Sequence, residues 1–77
     1  MAVVLALKLN VGDVVKIPGY GFPLYISQIS IPHDIKNKPI SAVLHPAWFD
    51  HKGDWHAMTA GFRLHTTFDA TVERVSE

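Results

Sequence analysis

The sequence predicts an all-β domain, a small barrel of five to seven short antiparallel strands. Three observations carry that expectation. Apolar and polar residues alternate with a period of two in several short runs, as on a half-buried strand. Glycine or proline interrupts the chain about every eight to twelve residues, the spacing of strands joined by tight turns. No stretch holds the helical period of an amphipathic helix. The 77 residues make one domain, 1–77, without repeat or linker. A chain of this size buries only roughly 60–65% of its unfolded surface, so association would help to stabilise it.

Strands are expected near 3–9, 13–18, 23–31, 40–49, 54–58, 62–67 and 71–75. The first, within a leading segment 1–9, rests on Leu5, Leu7, Leu9 and Val11 alternating with Ala6, Lys8 and Asn10. That segment has no basic start and no small-residue cleavage site, so it is expected to be a strand and not a signal peptide. It is also too short to span a membrane. Val11-Gly12-Asp13 is a turn or a bulge, where glycine can take a positive φ. Pro18-Gly19-Tyr20-Gly21-Phe22-Pro23 is a loop. No Lys-Ser or Lys-Thr follows its glycines and no helix offers an N-terminus, so it is not a phosphate cradle. Residues 31–39, bracketed by Pro32 and Pro39, form the longest irregular loop, either plain solvent loop or interaction loop. Pro46 falls within the fourth strand, where a missing N–H implies an edge or a bulge.

Composition removes several function classes. There is no cysteine, which excludes disulfides and thiolate chemistry and makes the cytoplasm the expected compartment. Seven basic and seven acidic residues give zero net charge. The basic residues are scattered, without the stripe that phosphate neutralisation requires, so the charge pattern argues against nucleic acid.

The segment HPAWFDHKGDWH at 45–56 holds three histidines, two tryptophans and two aspartates. Asp50-His51-Lys52-Gly53 reads as a type I turn closed by a left-handed glycine. Met58-Thr59-Ala60-Gly61 places its glycine alike and predicts a second hairpin. Phe49 is then expected opposite Trp55, Trp48 opposite His56 and Ala47 opposite Ala57. Across the second bend, Met58 would oppose Phe62, Ala57 Arg63, His56 Leu64 and Trp55 His65. Opposed residues share a face. Leu44, Pro46, Trp48, His56, Met58, Phe62 and Leu64 would face the core. His45, Ala47, Phe49, Trp55, Ala57, Arg63 and His65 would face outward. Zinc ligands must converge within about 2.1 Å of one ion. His45 and His65 are offset, His56 points the other way and His51 sits in the turn, so no metal site is expected. Asp50 and Asp54 read as a solvated turn pair, and no serine lies in a nucleophile motif. No catalytic residue and no cofactor are assigned. The outward face His45, Phe49, Trp55, Arg63 and His65 is the candidate interaction surface.

Four short motifs carry a resemblance. Leu9-x-Val-Gly-Asp-Val-Val-x-Ile17, Gly21-x-Pro-x-Tyr-Ile-Ser27, Trp48-Phe-Asp-x-x-Gly53 and Thr67-Phe-x-Ala-x-Val-Glu-Arg-Val75 resemble the small bacterial YodC-like proteins over residues 9–75. The resemblance implies a compact SH3-like barrel with a central Trp-Phe-Asp…Gly hairpin, and no defined activity. Loop 31–39 is longer than that pattern, and strand 1–8 is additional to it.

The expected function is a non-catalytic interaction module with a protein partner, self-associating through strand 3–9. An accessory or inhibitor protein of a phage or mobile element would fit that description. One alternative is a nucleic-acid-binding barrel that stacks bases on Trp55 and Phe49 beside Arg63 and Lys52. A second is a metal site or small enzyme completed across an oligomer from His45, His51, His56 and His65.

Overall fold

The computed structural model describes residues 2–75. Seven strands form one antiparallel sheet: β1 Ala2–Leu5, β2 Val14–Lys16, β3 Leu24–Ser30, β4 Ile40–Phe49, β5 Trp55–Ala57, β6 Phe62–Thr66 and β7 Thr71–Arg74. The fold is all-β, and each strand lies where the sequence places one. Their order is β1-β7-β2-β3-β4-β5, with β6 also paired to β4. No helix among the described residues is long and apolar enough to cross a membrane.

The sheet does not close into the expected barrel. β1 ends it on one side and β5 and β6 on the other, with no ladder between those ends among the described residues. The first strand is too short to bridge the gap. After Leu5 the chain makes one 3-10 turn over Ala6–Lys8, with Leu9 N donating to Ala6 O at 3.2 Å. Ala6 and Leu9, three residues apart, are buried, whereas Leu5 is exposed. The leucine alternation therefore specifies a strand only as far as Leu5.

The inner face of the sheet wraps a small core. Leu9, Val15, Leu24, Ile26 and Leu44 are its centre, and Val4, Phe62, Leu64 and Val72 pack against them. Residues from β1 and β7 thus approach residues from β6 without pairing to them. Between them lies an apolar cleft of about 260 Å³, lined by Leu64 and Thr66 on one side and by Ile17, Thr71 and Val72 on the other.

β4 organises the rest. Along one edge it pairs with β3, from Ser30↔Ser41 to Leu24↔Pro46, with Ser27 as the extra residue of a bulge. Along the other edge it pairs first with β6, from Ile40↔Thr66 to Leu44↔Phe62. It then pairs with β5, from Ala47↔Ala57 to Phe49↔Trp55. The expected β5–β6 hairpin is therefore absent. β5 and β6 lie end to end, as one returning strand with two extra residues where it passes His45. Burial decides this: pairing with the first half of β4 sets Phe62 and Leu64 against the core, which a second hairpin would have carried away from it. Pro46 lies where β4 changes partner. Its carbonyl accepts from Met58 N at 2.8 Å, and its missing N–H falls beside the extra residues, where no ladder bond is lost. The bulge expected at Pro46 thus lies on the partner strands.

Leu24 is fully buried and Val3 is 73% exposed. Leu24→Ala is expected to cost about 2–5 kcal/mol in urea unfolding. Val3→Ala should change stability by less than about 0.5 kcal/mol, since it empties no core space.

Candidate interaction site

Past Ala47, which is still buried, the β4–β5 hairpin runs beyond the core and must be held by its own contacts. Asp50 supplies most of them. Its Oδ1 accepts from the backbone N–H of Lys52 and of Asp54, both at 2.9 Å. Its Oδ2 lies 2.6 Å from His56 Nε2. Gly53 N donates to Asp50 O at 3.2 Å, and Gly53 has φ +91°, the left-handed geometry that the turn sequence predicts. The N–H of Asp54 and the ring of His56 favour the carboxylate and hold the Asp50 carboxyl below its ordinary value.

Each face of the hairpin carries one ring pair. On one, the His56 ring stacks on the Trp48 indole, with centroids 4.5 Å apart and planes 24° apart. On the other, Phe49 and Trp55 meet at 5.0 Å and 59°. The Asp50–His56 contact therefore positions the ring on which Trp48 rests. Trp48 is 51% exposed, Phe49 58% and Met58 55%. The expectation that Trp48, His56 and Met58 face the core is corrected here. Trp48 and its partner His56 alternate onto the side of Leu44, but the core ends before reaching them, and Met58 lies past the end of β5.

The five residues of the predicted face share one side of the sheet but do not form one patch. Phe49 and Trp55 touch. Arg63 stands opposite Val43 and His65 opposite Ser41, not opposite Ala57 and Trp55. At about 3.3 Å per residue, that sets Arg63 about 20 Å and His65 about 26 Å from Phe49 along β4. The Arg63 guanidinium reaches Ser41 Oγ at 3.5 Å. Trp48 belongs to the tip and Met58 to the junction beside Pro46, and both are exposed although the sequence pattern places them inside. The readable signal was the ten-residue length of β4, which exceeds what so small a core can cover.

His45 has a different role. Its Nε2 lies 2.8 Å from Ser27 Oγ, the bulged residue of β3, and Ser27 Oγ lies 3.3 Å from Val43 O. One tautomer satisfies both: Nε2–H donates to Ser27, and Ser27 donates to the carbonyl. The serine is then a bridge, and no carboxylate orients His45, whose Nδ1 is buried without a partner. A Cβ on Gly61 would meet the His45 ring at 2.5 Å. Gly61 is there for close approach, not for a left-handed turn. No group of three or more metal-ligating side chains converges among the described residues. No protein-family model, no curated protein and no solved structure matches this chain.

Asp50 contributes stability above the ordinary carboxylate range and loses it as pH falls through its depressed folded value. The denaturant midpoint of the wild type should therefore exceed that of Asp50→Asn at neutral pH and approach it below about pH 4. Gly61→Ala should cost about 1–3 kcal/mol, because the ring it displaces is bonded to Ser27. Introducing it in a His45→Ala background should cost clearly less; equal costs in a double-mutant cycle would refute the contact.

Proposed function

We propose that this protein is a non-catalytic interaction module that grips a protein partner with the aromatic tip of its β4–β5 hairpin. The observation that carries this reading is the pair Trp48 and Phe49, half-exposed on opposite faces of a projecting tip. Each is braced by a ring behind it, His56 or Trp55. Trp and other rigid aromatics are over-represented among residues that dominate interface energetics. A tip apolar on both faces fits a groove that encloses it better than a flat partner surface. Arg63 stands too far along the sheet to help stack bases on this tip.

Self-association belongs to the same reading. Among the described residues β1 pairs with β7 alone, so its outer edge offers backbone groups beside the exposed Val3 and Leu5. An edge of that kind accepts a second strand. A cytoplasmic accessory or inhibitor protein of a mobile element is consistent with both surfaces.

A pull-down from native extract should retain a partner that both Trp48→Ala and Phe49→Ala lose, with far-UV circular dichroism unchanged. Equal recovery by all three proteins would refute the tip as the contact. In sedimentation, Val3→Lys should shift any dimer of the wild type to monomer.

A further inference from the structure

We propose that the open seam between β6 and β7 is a binding pocket for a compact, uncharged, mainly apolar molecule about the size of naphthalene or an octyl chain. The site is separate from the hairpin tip and does not depend on the reading above. Its walls are Leu9, Ile17, Ile26, Leu44, Leu64 and Val72, which are buried or half-buried. No lysine, arginine, aspartate or glutamate lines it, and the one ionisable residue in its lining is the exposed His65. A charged guest would lose its hydration among walls that carry no carboxylate, lysine or arginine to replace it. Water fares little better, because an ordered molecule needs two to four polar partners and the walls are mainly aliphatic, with polar side chains at His65, Thr66 and Thr71 alone.

The volume sets the size of the guest. The cleft measures about 260 Å³. An apolar protein cavity of about 150 Å³ is enough to hold benzene. The remaining space suits a second fused ring or several further methylenes. The rim supplies orientation, since Thr66 and Thr71 stand on its two sides and can hydrogen-bond a single hydroxyl or carbonyl. The pocket is preformed, because β2, β3, β4, β6 and β7 are each fixed by ladders on the far side of the seam. A guest would supply the side-to-side packing that barrel closure would otherwise have provided.

The test titrates the full chain with 1-naphthol and 1-octanol, with octanoate as the charged comparison, followed by amide and methyl NMR. Saturable shifts are expected at Leu9, Ile17, Leu64 and Val72 and not at Trp48, Phe49 or Met58. Octanoate should bind at least about tenfold more weakly, from its uncompensated charge. Ala42→Leu and Thr71→Leu each fill the seam and should abolish the shifts. The wild-type map decides the matter alone if neither variant folds. Absence of saturation, shifts confined to the hairpin tip, or seam resonances that move on dilution without any probe would overturn the proposal. The last outcome would mean that a second copy occupies the seam.

Discussion

A ten-residue strand in a domain with so small a core is the constraint from which most of this molecule follows. β4 is half covered by its neighbours' side chains and half beyond them. The covered half, from Ile40 to Leu44, takes β3 on one edge and β6 on the other. The outer half keeps β3 only as far as Pro46 and buries only Ala47; beyond that it has β5, three residues long, and a turn. Hydrophobic burial stabilises the first half. Local hydrogen bonding and ring stacking must stabilise the second. That division explains why the Asp50 carboxylate serves several donors within one hairpin, and why two ring pairs sit where a core would otherwise be.

Strand positions, the glycine-ended turn at Gly53 and the inward placement of Leu44, Phe62 and Leu64 were legible in the sequence; Ala47, expected outward, is instead buried, and Trp48, His56 and Met58, expected inward, are exposed. The pairing of β6 was not legible. Gly61 follows Met58 as Gly53 follows Asp50, and the two segments look alike as text. They differ in what lies opposite. At Gly53 the chain must reverse, and φ is positive. At Gly61 the chain only passes close to the His45 ring. The inward placement of Phe62 and Leu64 survived this misreading for a definite reason. The return strand is displaced by two residues, an even number, so Phe62 and Leu64 still point to the same side as Leu44. Arg63 and His65 also keep their side but move along the sheet, and the five-residue patch is dispersed.

Closure was misjudged for a related reason. Alternating leucines from Leu5 to Leu9 satisfy a strand pattern, yet Ala6 and Leu9 also satisfy the spacing of a single turn. Nothing local separates the two possibilities. Tertiary packing does, by burying Ala6, whose N–H bonds to Ala70 O at 2.8 Å. With β1 cut short, the sheet keeps two free edges and an unsealed apolar seam. The Ser27–His45 contact was likewise invisible, because it depends on a bulge that no sequence signal announces.

The two surplus residues between β5 and β6 have a mechanical consequence. A continuous ladder would transmit any strain at the tip directly into the pairs that flank the core. Here the ladder is interrupted at the junction, where the Met58 N–Pro46 O bond and the His45 ring over Gly61 are what link β5 to the body. On that side the pairs that flank the core and the pairs that carry the tip are separate ladders, so a change in the tip's pairing with β5 leaves the register of β6 on β4 unaltered.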